Sequence, residues 1–258
     1  CQMDISAHES GGHLDWVTLL SYTAAKWGAS FDKRALREME KTAQKVLAEA
    51  DNTHTATDLL EEAAADLKYY PYGLKAYSPI ARGFDYSDYD DFGSSRSYGY
   101  SRPHLGHDMM GQVGTPIIAI ESGYVEVLGW NQYGGWRIGI RSFDKKRYYY
   151  YAHLRQNYPY QSDLQEGSVV TAGQVIGYMG HTGYSTQENV NNIKTVHLHW
   201  GLELVFDESQ KEGNNEIWID CYALTRFLYK NRSLTEKNVE TKEWFRSFQM
   251  KDPAAEAY

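Results

Sequence analysis

Between positions 14 and 74 the apolar residues recur with helical spacing: Trp16, Leu19, Leu20 and Ala24 in one stretch, then Leu36, Met39, Ala43 and Leu47, then a third run over 56–70. Breaks at 28–32 and 51–55 divide these runs, which predicts two or three helices in a small N-terminal module over 1–76. From 77 to 102 the chain turns to Tyr, Ser, Asp and Gly, as in Asp85-Tyr86-Ser87-Asp88-Tyr89-Asp90-Asp91, and reads as a polar linker leading into the next domain. Beyond it the runs become short and strand-like, at 114–120, 123–128, 136–141, 147–153, 168–171, 175–179 and 196–206. Most are joined by short connections carrying Gly, Asn or Asp, which predicts an antiparallel sheet or open barrel over 103–206. Helical period returns at 216–230, within a C-terminal helical extension over 207–258 that ends in a charged tail. The expected class is α+β, with a mainly antiparallel β domain between an N-terminal helical module and a C-terminal helix.

Composition narrows the function classes. The 258 residues are 42% hydrophobic and 23% charged, enough for a real core. The longest apolar run, 117–120, is far short of the roughly 20 residues of a transmembrane helix. Lys and Arg number 26 against 34 Asp and Glu, a net charge of -8, so the chain lacks the basic footprint of a nucleic-acid binder. Tyrosine is in excess, at 22 residues. Its apolar ring and polar tip suit clefts that grip polar polymers, although composition alone favours a Tyr-rich β core. With only Cys1 and Cys221, there is neither a disulfide framework nor a Cys-based zinc cluster, and any metal falls to His and carboxylates. A leading Cys1 is what signal cleavage leaves on a bacterial lipoprotein, which makes it a candidate lipid anchor, with a truncated chain as the alternative.

Six of the nine histidines lie in the β region. In Pro103-His104-Leu105-Gly106-His107-Asp108, His104 and Asp108 are four apart, positions that share a face in extended chain, and Gly106 lets the backbone bend so that both reach one ion. In Val196-His197-Leu198-His199-Trp200, period two puts His197 and His199 on one face about 7 Å apart. Either could bind metal while the other serves as base; an exposed surface pair is the plain alternative. His153, ending the strand Tyr150-Tyr151-Ala152, reads by itself as a structural hydrogen-bonder. His8, His13 and His54 read as surface residues.

Taken in order, these elements resemble the LytM/lysostaphin-type zinc endopeptidases, peptidase family M23. The resemblance rests on Phe92-Gly93-Ser94-Ser95-Arg96, on His104-Leu105-Gly106-His107-Asp108 and on Gly114-Thr115-Pro116-Ile117-Ile118-Ala119. It continues through Gly123-Tyr124-Val125, Tyr151-Ala152-His153-Leu154, the glycine-spaced run 173–183 and His197-Leu198-His199-Trp200. It implies one Zn²⁺ per chain held by His104, Asp108 and His199, with His197 as general base and His153 orienting water or stabilising the oxyanion. The choice of His199 over His197 as ligand comes from the family alone. The implied activity is hydrolysis of peptide cross-links, in the stem or bridge peptides of bacterial peptidoglycan. The implied place of action is the cell envelope or the medium outside the cell.

Three features depart from the family pattern. Residues 184–195 form a longer polar loop, expected to edge the cleft. Phe92-Gly93-Ser94-Ser95-Arg96 has one residue more than usual, which leaves the role of Arg96 open. The N-terminal helices match nothing in the catalytic domain, and His107 and His181 are extra, expected beside the site or on the surface. Two other classes compete. One is a catalytically idle envelope protein acting as scaffold or activator, against which the presence of all five site residues speaks. The other is a lysozyme-like activity in the N-terminal helices, for which Glu38, Glu40, Glu61 and Glu62 look solvated. Tyr86, Tyr89, Tyr98, Tyr100, 148–151, Tyr178 and Tyr184 precede or flank the site residues, which moves the tyrosine excess from the core toward the walls of a cleft.

Overall fold

Alternation along the chain becomes alternation across a sheet. The computed structural model describes residues 76–211, 215–250 and 252–258; the helices expected over 14–74, with Cys1, His8, His13, His54 and the four glutamates weighed above, lie outside them. In chain order the strands are β1 (Ser87–Asp88), β2 (Ser95–Tyr98), β3 (Tyr100–Pro103), β4 (His107–Met110), β5 (Pro116–Ile118), β6 (Gly123–Asn131) and β7 (Gly135–Ser142). They continue with β8 (Arg147–Ala152), β9 (Val169–Val170), β10 (Val175–Tyr178), β11 (His197–Leu204), β12 (Ile217–Ile219), β13 (Thr235–Lys237) and β14 (Trp244–Arg246). The two described α-helices are short, α1 (Tyr222–Leu228) and α2 (Pro253–Glu256).

The main sheet is open and runs β1-β4-β11-β8-β7-β6-β9, with β12 added to β11, and every pairing in it is antiparallel. In β11 the even positions Leu198, Trp200 and Leu202 are buried, and they meet Met109 of β4, Tyr149 and Tyr151 of β8, and Ile138 and Ile140 of β7 in one core. Ile117 of β5 and Ile176 of β10 join that core, as do Cys221 and Leu228 at the ends of α1. The odd positions of β11, His197, His199, Gly201 and Glu203, face the other way, and the site lies on that face.

Two segments differ from expectation. Residues 77–102 contain β1, most of the β2–β3 hairpin and the buried Tyr77, Ile80 and Ala81, so this stretch contributes to the core. Its polar composition misleads because tyrosine stacking supports the hairpin, with the Tyr98 ring 4.8 Å from Tyr184 at an interplanar angle of 8°. In 216–230 the helical reading spans two elements. Ile217–Ile219 pairs with the free edge of β11, Leu202 opposite Ile219, and the helix begins only at Tyr222. The β13–β14 hairpin likewise replaces helix in 207–258. Among the described residues no helix is long and apolar enough to cross a membrane.

Trp200 is fully buried and its indole N–H donates to Thr225 Oγ1 at 3.1 Å, tying the sheet to α1. Trp200→Ala is expected to lower unfolding stability by about 3–5 kcal/mol, measured as a fall in the urea midpoint at constant slope.

Candidate metal centre

Strand register places the first two donors. His199 of β11 lies directly opposite Asp108 of β4, so both side chains rise on the same face. His104 sits three residues before β4, in the turn that follows β3. The backbone there passes against the His199 ring: a Cβ on Gly106 would lie 2.5 Å from His199 Cε1 and 2.8 Å from the Trp200 carbonyl. Gly106 is therefore required for close approach, a different reason from the bend expected of it.

Three atoms converge. His104 Nε2 lies 3.0 Å from Asp108 Oδ1 and 2.9 Å from His199 Nδ1, and His199 Nδ1 lies 2.9 Å from Asp108 Oδ1. Ligands about 2.0–2.1 Å from a tetrahedral ion stand roughly 3.3 Å apart, so these donors fit one such ion. Burial alone would raise the Asp108 carboxyl, but the imidazoles of His104 and His199 outweigh it and hold the group well below the usual carboxylate range. The carboxyl is therefore ionised at any working pH and offers a charged oxygen to the cluster.

A support layer that the sequence reading lacked holds these donors. Arg96 Nη2 donates to Asp108 Oδ2 at 3.2 Å and to Asp91 Oδ2, while Nη1 donates to Ser94 Oγ at 2.7 Å. His104 Nδ1 lies 3.3 Å from both the carbonyl oxygen and Oδ2 of Asp91. Either contact places the ring proton on Nδ1 and turns the Nε2 lone pair to the centre. The extra residue in Phe92-Gly93-Ser94-Ser95-Arg96 thus does not remove the arginine from the site. The available signal for Asp91 was its position immediately before that motif.

His153 and His197 stand beside the three donors, their rings 4.6 Å apart. His197 Nδ1 lies 2.9 Å from the Thr195 carbonyl and His153 Nδ1 lies 2.9 Å from that of Thr182. A carbonyl only accepts, so both rings carry their proton on Nδ1 and leave Nε2 as an acceptor. His153 follows β8 with φ of 61°, a left-handed turn fixed by its N–H donating to the Gly134 carbonyl at 2.7 Å. Burial, reinforced by His197 and His199, pushes the His153 imidazole well below its ordinary range and keeps it neutral.

The surrounding cleft, about 280 Å³, is walled by Tyr133, Tyr148, Tyr150 and Tyr184, with Arg102 and Arg137 among them. Tyr133 was not expected. Tyr98 and Tyr100 pack on the wall from behind, Tyr149, Tyr151 and Tyr178 belong to the interior, and Tyr89 is exposed. His107 is buried on the opposite face, its Nε2 2.9 Å from Asp88 Oδ2. His181 Nδ1 lies 2.7 Å from the Ile193 carbonyl and props the loop over 184–195. That loop is pinned by its own amides: Asn189 Oδ1 accepts from Trp136 Nε1 and from the Asn157 N–H, both at 2.9 Å, and Asn191 Nδ2 donates to Gln156 Oε1 at 2.9 Å.

Two imidazoles and a carboxylate on an antiparallel sheet, with two further histidines offering acceptor nitrogens, have the composition of a metallohydrolase centre. Residues 102–213 match peptidase family M23, and the chain carries a domain of that family. The chain is 37% identical over 154 residues to an L-Ala–D-Glu endopeptidase of Bacillus subtilis, a match covering 60% of this chain and 45% of that protein. It is 38% identical over 94 residues to lysostaphin of Staphylococcus simulans, covering 36% of this chain and 18% of that one. The chain thus spans less than half the length of these curated relatives. Among solved structures, a LytM protein of Ruminococcus gnavus described as a glycyl-glycine endopeptidase aligns with a TM-score of 0.51 and 28% identity. That alignment covers 84% of this chain and 82% of the other.

Arg96→Ala is expected to weaken Zn²⁺ affinity roughly 10–100-fold, read by competition with a chromophoric chelator. Arg96→Lys should recover only part of the loss, because one ammonium cannot reach Asp108, Asp91 and Ser94 together.

Proposed function

We propose that this domain is a zinc-dependent endopeptidase that hydrolyses peptide bonds in bacterial peptidoglycan, outside the cytoplasmic membrane. The observation that carries the reading is the convergence of His104 Nε2, Asp108 Oδ1 and His199 Nδ1 at mutual separations of 2.9–3.0 Å beside two histidines with acceptor nitrogens. The relatives' names, L-Ala–D-Glu endopeptidase and glycyl-glycine endopeptidase, support peptide rather than glycan cleavage. His104, Asp108 and His199 would hold one Zn²⁺. The ion, when bound, supplies Lewis acidity that polarises a scissile carbonyl and makes water acidic enough to react near neutral pH.

The protein's own groups do the rest. His197 Nε2, kept free by the Nδ1 contact with Thr195, takes the proton of the attacking water and returns it to the leaving amine. His153 Nε2 accepts a hydrogen bond from that water and orients it; as a neutral ring protonated at Nδ1 it has no donor for an oxyanion, which favours the first of the two roles implied by the resemblance. The tyrosines and the pinned loop hold the peptide across the centre and limit access of bulk water.

Purified protein is expected to contain about one zinc per chain by mass spectrometry of the native protein. His199→Ala should lose both the metal and wall-lytic activity. His197→Ala should keep the metal while turnover falls roughly 10²–10⁴-fold. Digested walls should show new amino termini; new reducing ends, zinc well below one per chain, or an active His199→Ala chain would sink the reading.

A further inference from the structure

The cleft face of β11 does not end at the histidines. Four residues beyond His199 it presents Glu203, which borders the same cleft yet is only 2% exposed. Its Oε1 has no hydrogen-bond partner among the described residues. A buried carboxylate in that state is costly, and such groups are normally paired.

The cations close enough to help are committed elsewhere. Arg141 donates to Glu126 through Nε at 3.0 Å and Nη2 at 3.2 Å, to Glu208 through Nη2 at 3.1 Å, and to the Lys145 carbonyl through Nη1 at 2.9 Å. Lys211 Nζ lies 2.8 Å from Glu126 Oε2 and 4.7 Å from the centroid of the Tyr148 ring. Glu216, also on the cleft, adds a second negative charge, and its Oε2 accepts from Trp218 Nε1 at 2.9 Å. Burial and then the Glu216 charge push the Glu203 carboxyl up to about 7. A cation entering the cleft would remove that penalty.

The floor between Glu203 and the metal centre is aromatic. Trp218 lies over Gly201, where a Cβ would come within 2.7 Å of the indole, and Tyr150 packs edge-on to both Trp218 and His199, with centroids 6.2 and 6.0 Å away. Four residues of strand span about 13 Å. An extended peptide covers that distance in three to four residues, or in fewer when a long side chain reaches forward.

We infer that Glu203, with Glu216 at its rim, is a subsite for a primary ammonium of the substrate, so that the cleft selects peptides carrying an amine a few residues from the bond that is cut. The inference rests on the peptidase reading, and it adds the charge and position of the group that is recognised. An aromatic floor also suits it, since Trp218 and Tyr150 offer π faces to a passing cation.

The test uses the zinc-loaded full chain carrying His197→Ala, so that peptide is not consumed. The probes are Gly/Ala hexapeptides with one lysine walked through the sequence, each with the amine free or acetylated, and affinity is read by calorimetry. At one lysine position the free amine should bind about tenfold tighter than its acetylated twin, the range of one charge-assisted hydrogen bond. Glu203→Gln should erase that difference with zinc content unchanged and the melting midpoint held or raised, and Glu216→Gln should reduce it. If Glu203→Gln fails to fold, the acetylation comparison and Glu216→Gln still decide. Equal binding of both twins at every position, absence of binding by any probe, or a preference that survives Glu203→Gln overturns the inference. Amine discrimination in a chain whose His197 parent shows no hydrolysis would fault the peptidase reading alone.

Discussion

Everything at this site depends on the antiparallel register that sets His199 of β11 between Asp108 of β4 and Ala152 of β8. Side-chain direction alternates with period two, so a slip of β11 by one residue would turn His197 and His199 into the core and Leu198 and Trp200 out to water. The register is locked from the opposite face, where Leu198, Trp200 and Tyr151 are fully buried. Core packing and metal geometry are thus two faces of the same three strands. The two neighbouring histidines share that origin: His153 is the residue after Ala152, and His197 is the next outward position along β11. Packing energy on one face therefore positions the side chains on the other, with no disulfide among the described residues to help.

Charge on the cleft face is arranged in two contrasting ways. Around Asp108 the carboxylate is over-supplied with partners: two imidazoles on Oδ1 and a guanidinium on Oδ2. Around Glu203 the partners are withheld, because Arg141 and Lys211 are bound to Glu126. Both carboxylates stand on the same face of the same sheet, so the difference lies in where arginines enter the fold. Arg96 arrives on the β2–β3 hairpin and points at the metal donors, whereas Arg141 sits in β7 and turns to a neighbour on β6. A group whose penalty is left standing marks a place where something else is meant to bind.

Much of this was legible in the residues. The His197-Leu198-His199-Trp200 alternation gives the facing of β11 directly, and most central strands lie close to where apolar runs and Gly-rich turns put them. What escaped is what depends on pairing between distant segments. β4 has only four residues, and its strand character comes from being zipped to β11. Asp91 and Arg96 acquire meaning only when the hairpin folds back over His104. Gly106 looked like a bend and proves to be a clearance for the His199 ring, a distinction that needs the facing strand. Ile217–Ile219 was read with the helix beside it because three residues carry too little period to be separated. The N-terminal module expected over 1–76 lies almost wholly beyond the described residues.

The tyrosine excess, ambiguous as composition, resolves into a division of labour along four consecutive residues. Tyr149 and Tyr151 fill the core, while Tyr148 and Tyr150, one step out of phase, wall the cleft. A ring with a polar tip can serve on either face of a sheet, which is why the count by itself could not choose between core and cleft. Rigidity follows from the same chemistry. Tyr184 is held between the stacked Tyr98 ring and Arg102, whose Nη2 donates to its hydroxyl at 3.3 Å, and the loop behind it is pinned by Asn189 and Asn191. A wall ordered by contacts within the protein has little freedom left to lose, so whatever enters the cleft meets a surface that needs no further ordering.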